Sequence, residues 1–334
     1  MPERILITGG TGFLGSHVAE QLLDEGYNVR LAARGAKILG LLEVYAQHVT
    51  DGRMEITRIM DLANEQFITL FVGVDALIHM AAPQVGREHP ECTLRNTVDG
   101  SLNVIRQAER AGIKKIIVTS AAATAFGPKG NVSDQEWNPV DRGVALQSGN
   151  PLAVFTTAKT LAEKAIWDFA SSHPHVEFTT INPTIIYGPL ARSHKVPKSN
   201  PAGLSTNILV YRLLFPTGAF PTTVDHVDVR DVARAHVLAL KSPPTFIVGR
   251  KRIIVGSPHV LDFRQITQLI REKRPELAER LTKVPVPTFE RLTLPINFGR
   301  IEDVLGMSKT EFHTVESTFL DAVDRLVEAE KEWL

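Results

Sequence analysis

Three glycines at three-residue spacing, Gly9, Gly12 and Gly15, constrain the opening of this chain more than anything else in it. They follow Ile5-Leu6-Ile7, an apolar run of strand length. They precede a helical pattern with Val18, Leu22 and Leu23 on one face and Gly26 just past its end. A strand, a glycine turn and a helix in this order begin a dinucleotide-binding βαβ unit. Gly9 allows the tight turn, Gly12 lets a pyrophosphate approach the backbone, and Gly15 lets helix and strand pack closely. Thr11, Phe13 and Leu14 lie in the same turn and helix start, whose amide N–H groups would meet the phosphates. Asn28–Ala33 reads as the second strand.

That second strand ends at Ala33-Arg34, where a chain binding NAD usually carries Asp or Glu against the ribose hydroxyls. Arg34, with Lys37 three residues on, instead suits a 2′-phosphate, so NADP(H) is expected rather than NAD(H). Ala36–His48 has helical spacing, and Met54–Ile59 reads as a strand ending at Asp61-Leu62. Asp75–Met80 is a further strand, Cys92–Ala111 a helix and Lys115–Thr119 a fifth strand. Gly127–Asn150 reads as a loop over the site, Leu152–Ala170 as a helix and Val176–Asn182 as a sixth strand. This alternation predicts an α/β fold, a Rossmann-type doubly wound parallel sheet with helices on both faces. Proline-rich stretches (Pro189–Pro201, Pro216–Pro221, Pro285–Pro295) then interrupt the rhythm around a helix at Val229–Lys241. The expected division is a dinucleotide-binding domain over 1–185, to which 224–256 returns. A smaller irregular C-terminal substrate lobe is expected over 186–223 and 257–334. The terminal helix, with Phe319, Val323, Leu326 and Val327 on one face, reads as an amphipathic cover or a dimer contact.

Composition narrows the partners. The 37 basic and 37 acidic side chains cancel, so no overall field favours nucleic acid or an anionic membrane. The one cysteine, Cys92, fits a reducing compartment. No apolar run reaches spanning length and no signal-peptide pattern opens the chain, so a cytoplasmic protein, monomeric or homodimeric, is expected. The eleven histidines show no paired ligand spacing, so no metal is expected.

Several motifs in order resemble an extended short-chain dehydrogenase/reductase of the NAD-dependent epimerase/dehydratase superfamily. Within it, the branch of dihydroflavonol, cinnamoyl-CoA and fungal aldehyde and ketone reductases is the most similar. The motifs are Thr8–Gly15, Asp61-Leu62, His79-Met80-Ala81-Ala82-Pro83, Lys159–Lys164, Asn182-Pro183 and Val227–His236. The resemblance implies that Asp61-Leu62 lies by the adenine, that Met80, Ala81 and Ala82 line the cofactor, and that Asn182-Pro183 flanks the nicotinamide carboxamide. It makes the segment containing Asp228, Arg230 and Asp231 mostly structural, as a buried ion-pair cluster would be.

Two positions depart from the family. Its reductases carry Tyr-x-x-x-Lys on one helix face, with the tyrosine protonating the alkoxide and the lysine holding the ribose. Lys159 is present, but Phe155 stands at the tyrosine position. Ala121 stands at the catalytic serine, with Ser120 one step earlier as a substitute. Thr119, Thr124, Thr156 and Tyr187 are the nearby hydroxyls that could replace the acid. The expected activity is NADP(H)-dependent reduction of a small or medium carbonyl substrate, or oxidation of the alcohol, through a non-standard site. The alternatives are a non-redox isomerase, lyase or cyclase on this scaffold, or a catalytically inactive NADP(H)-binding sensor.

Overall fold

Ile5, Leu6 and Ile7 are almost wholly buried although they point alternately to opposite faces, so β1 (Arg4–Thr8) must be covered on both sides. The computed structural model, which describes residues 2–83, 85–289 and 294–333, shows how this is met. After β1 come α1 (Phe13–Asp24), β2 (Asn28–Ala33), α2 (Ile38–Val44), α3 (Ala46–Thr50), β3 (Met54–Arg58) and β4 (Ala76–His79). Then follow α4 (Pro90–Arg110), β5 (Lys115–Thr119), α5 (Arg142–Gln147), α6 (Pro151–Ser172), β6 (Glu177–Pro183) and β7 (Ile185–Tyr187). The chain continues through α7 (Ile208–Arg212), β8 (His226–Asp228), α8 (Val229–Ala239), α9 (Thr245–Val248) and β9 (Lys251–Val255). It finishes with α10 (Phe263–Lys273), α11 (Phe298–Leu305) and α12 (Val315–Lys331).

Seven of these strands form one parallel sheet in the order β3-β2-β1-β4-β5-β6-β9. The strand order reverses between β1 and β4, and ligands of such sheets bind beyond the carboxyl ends at that point. One face is covered by α1 and α8, through Val18, Leu22, Val232 and Ala235. The other is covered by α4 and α6, through Val104, Ile105 and Ile166. β7 and β8 form a separate parallel pair, Ile186 opposite Val227.

Three expectations are corrected. The helix expected over Ala36–His48 is a 3₁₀ turn and two short helices, because the backbone leaves helical geometry at buried Tyr45 (φ −101°, ψ 19°). Gly127–Asn150 is not loop throughout. Asp141 accepts a hydrogen bond from the Val144 N–H (2.8 Å) and so caps the single turn and a half of α5. The break in rhythm after β6 is only partial, since β9 joins β6 as a further parallel strand, Ile253 opposite Ile181. The Pro285–Pro295 stretch lies partly outside the described residues, at 290–293.

α12 is an intramolecular cover. Phe319, Val323 and Leu326 are fully buried, and the Phe319 ring lies 5.3 Å from Tyr187 and 6.1 Å from Phe263. Polar contacts fasten the same helix. Arg230 donates to Asp228 (2.8 and 2.9 Å) and to Asp321 (2.6 Å), while Thr318 donates to Asp228 (2.8 Å). The Asp228 and Arg230 cluster is therefore a structural tie between α8 and α12. Asp231 adds a second tie through the His313 ring (2.6 Å). Truncating Phe319 to alanine should cost about 3–5 kcal/mol, as large aromatic truncations in cores do. Urea unfolding of Phe319→Ala against the parent measures it, and a loss below about 1 kcal/mol would show that α12 is not part of the core.

Candidate active site

The candidate site lies at the carboxyl ends of β1, β4, β5 and β6, where the strand order reverses, and the approach of β1 to β4 there is set by glycine. Gly9 has φ +79°, and a Cβ there would stand 2.6 Å from the Ala81 nitrogen, so the turn after β1 and the end of β4 meet closely only without a side chain. A Cβ on Gly15 would overlap the Gly9 carbonyl. Gly12 differs: its N–H donates to the Gly9 carbonyl (3.0 Å), and a Cβ would meet only that oxygen, at 3.3 Å. The space beside Gly12 is open, and α1 starts there with Gly12 as its N-cap. Thr11 and Leu14 line the turn, whereas the Phe13 ring is buried beneath it against His17.

Other expected contacts gather at the same edge. Lys37 donates to the Thr11 carbonyl and hydroxyl (3.3 Å each), which brings the exposed Arg34–Lys37 pair beside the glycine turn. Met80, Ala81 and Ala82 are partly exposed at the end of β4. Asp61 is exposed and accepts from the Ala63 N–H (2.8 Å) and the Asn64 amide (2.7 Å), which hold its carboxyl below the usual range. Leu62 packs on the buried cluster beneath α4.

The opposite wall is α6. Asn150 caps its start by accepting from the Leu152 N–H (2.9 Å), and Pro151 occupies the first turn. Val154 and Ala158 are buried against Leu94 of α4. With that face fixed, the residues four apart at 155, 159 and 163 fall on one stripe. Glu163 is buried at the sheet. Lys159 is half-buried one turn earlier, and its Nζ donates to the Thr119 carbonyl at the end of β5 (2.9 Å). Phe155, another turn back, is partly exposed and belongs to none of the buried clusters among the described residues.

Glu163 has no exposed surface to speak of (1 %), yet it is a carboxylate with five kinds of partner. It accepts from the hydroxyls of Ser120 (2.7 Å), Thr124 (2.5 Å) and Thr180 (3.0 Å), from Asn182 Nδ2 (2.9 Å), and from Arg252 Nε (2.8 Å). Burial alone would push its carboxyl up, but Arg252 and these donors bring it below its ordinary value. Arg252 is fully buried, and its guanidinium lies 3.9 Å from the Trp137 ring centre.

This network decides where several expected site residues stand. The Ser120 hydroxyl points into Glu163 rather than into the cleft, so it does not substitute for a serine at Ala121. Ala121 itself is partly exposed, and its carbonyl accepts from the Thr124 N–H (3.1 Å). Asn182 is fully buried and turns its amide to Glu163 and Thr124, so it supports the wall from behind, beside buried Pro183. Tyr187 is fully buried in an apolar cluster with Phe319 and Phe263 and is no candidate acid. His79 is buried and shares hydrogen bonds with Thr8 (2.6 Å) and Ser101 (3.1 Å). Burial and the nearby Lys159 charge push it down to about 3, so it is neutral.

Relatives place this architecture. The model of the NAD dependent epimerase/dehydratase family matches residues 5–254. The chain belongs to that family. Family members similar to it include a ketoreductase of Aspergillus niger, 27% identical over 98% of both chains. Another is a bifunctional dihydroflavonol 4-reductase/flavanone 4-reductase of Pyrus communis, 27% identical over 82% of this chain and 77% of that one. Among solved structures, Gre2 from Candida albicans in complex with NADPH superposes with a TM-score of 0.83 at 24% identity, covering 98% of this chain and 99% of that one.

Sequence reasoning quoted Glu163 within a motif without giving it a role, and it missed Arg252 and Trp137. A signal existed: Arg252 directly precedes the apolar Ile253-Ile254-Val255 run of β9, and an arginine in a wholly buried strand needs a carboxylate partner. Removing Glu163 leaves that guanidinium buried and unpaired, which typically costs about 3–5 kcal/mol. In urea unfolding Glu163→Ala should show this loss, and Glu163→Ala with Arg252→Met should recover part of it. With Arg252→Met measured alongside, a double-variant loss equal to the sum of the two single losses would mean that the pair is not coupled.

Proposed function

We propose that this protein is an NADP(H)-dependent reductase of small or medium carbonyl compounds whose active site lacks the usual tyrosine and serine. The observation that carries the reading is Lys159 bonded to the end of β5, two strands from a glycine turn whose open side lies at Gly12. The similarity to a ketoreductase and to a dihydroflavonol 4-reductase/flavanone 4-reductase supports it. Gly9, Gly12, Gly15 and the Thr11, Phe13 and Leu14 amides would cradle the pyrophosphate, and the arrangement fits, since a side chain at Gly12 would fill the space. Arg34 and Lys37 would take the 2′-phosphate. Asp61 and Leu62 would flank the adenine, Met80, Ala81 and Ala82 the ribose side, and Asn182 and Pro183 the carboxamide wall. When bound, the reduced dinucleotide supplies hydride to the carbonyl carbon.

The chain's own groups then have limited means. Lys159 can hold the nicotinamide ribose, and Glu163 keeps its helix in register with β5. Phe155 has no proton to give, and Ala121 has no hydroxyl for the developing oxyanion. The lobe formed by 186–223 and 257–334 would select the substrate over a nucleotide domain of 1–185 and 224–256. The substitutions at 155 and 121 are also what favours the second reading, non-redox chemistry or mere sensing on the same scaffold.

NADPH should bind more tightly than NADH, because a charge-assisted contact contributes about 1.5–3 kcal/mol, roughly tenfold or more. Calorimetry checks this. Arg34→Ala should erase most of the preference without unfolding, and equal affinities in the parent would refute the assignment of Arg34. Phe155→Tyr restores a phenol at the correct spacing to Lys159, whose charge would lower its pKa. Reduction of activated ketones and aldehydes, followed as NADPH oxidation at 340 nm, should rise at least about tenfold, within the usual range for a positioned acid. No gain, with NADPH still bound, would favour the non-redox reading.

A further inference from the structure

With Phe155 in place of a phenol, the proton needed at the substrate oxygen must come from another group near the end of β5. The hydroxyls there are already committed. His236 Nδ1 bonds the Val232 carbonyl (2.7 Å) and so carries the ring proton, which leaves Nε2 to accept from the Thr119 hydroxyl (2.7 Å). Ser120 and Thr124 donate to Glu163. Thr156, partly exposed on α6, has no hydroxyl partner among the described residues, but an aliphatic alcohol releases its proton far less readily than an ammonium.

Lys159 remains. Its Nζ has three N–H bonds. One goes to the Thr119 carbonyl, and among the described residues the group forms no ion pair. Resting on the reductase reading above, we propose that Lys159 is itself the proton donor, delivering a proton directly or through one water to the substrate oxygen opposite Phe155. The balance is complete. The carbonyl carbon gains a C–H bond with the two electrons of hydride from the reduced nicotinamide. The carbonyl π pair moves to oxygen, the O–H bond forms as an N–H bond of Lys159 breaks, and solvent reprotonates the amine. The groups facing Lys159 suit this duty. Burial lowers its ammonium to about 8, while the Glu163 charge one turn on opposes a larger fall. His79, on β4, is neutral. An acid with a pKa near the working pH is both protonated and ready to give its proton.

The test needs one readout without turnover and one with it. Reductive ¹³C-methylation of the whole protein, with the Lys159 signal identified by its loss in Lys159→Arg, should show that amine titrating near 8 rather than near the ordinary lysine value of about 10.4. At saturating NADPH, kcat should fall as pH rises through the same midpoint. Lys159→Ala should lose about 10²–10⁴-fold in kcat, and small primary amines added to solution should restore part of it. A rescued kcat that depends on the pKa of the added amine separates proton donation from a merely restored ribose contact. A normal lysine midpoint, or a kcat unchanged to pH 9.5 in an enzyme that does reduce carbonyls, would overturn the proposal and leave the reductase reading standing. So would a loss of turnover in Thr156→Val as large as that in Lys159→Ala. An enzyme that binds NADPH but reduces no carbonyl in the panel would overturn both.

Discussion

The buried pair of Glu163 and Arg252 is the interaction on which the cleft depends. Two opposite charges taken out of water are stable only when both are fully hydrogen-bonded, and here the carboxylate collects donors from Ser120 just after β5, Thr180 within β6 and Arg252 of β9 at once. Because Glu163 lies on α6, meeting those donors fixes the rotation and the axial position of the helix against the sheet. Lys159 and Phe155, on the same stripe, inherit their places from it. The lysine meets the Thr119 carbonyl because a residue one turn further along is anchored beneath it.

The facing wall is built by sterics instead of charge. Gly9 and Gly15 are compressed against backbone, so their lack of side chains is structural, whereas Gly12 borders open space and can serve a ligand. A third device fastens the last helix. The Asp228, Arg230 and Asp321 cluster ties α8, which packs on α1, to α12, which packs in the aromatic cluster of Tyr187 and Phe263. The Asp228 and Arg230 pair thereby works as a fastening between layers.

How much of this could be read beforehand follows from the range of each interaction. Local chemistry gave the glycine turn, the strand at Asn28–Ala33, the fifth strand, and the long helices around residues 100 and 160, since apolar periodicity and capping act over a few residues. The same local reading placed Phe155 and Lys159 on one helix face. It failed at Tyr45, where burial of one ring ends a helix that spacing alone continues, and at α5, too short to show a period.

The sequence by itself determined the glycine turn, the alternation of strands and helices, and the absence of a phenol or hydroxyl at 155 and 121, because each is a property of adjacent residues. Only the tertiary structure decided which polar groups face the cleft. Ser120, Thr124 and Asn182 were equally plausible lining residues until Glu163, 43, 39 and 19 positions away from them in the chain, was found to hold all three. A buried carboxylate takes its donors from whatever the fold brings within about 3 Å, and that choice has no trace in local sequence.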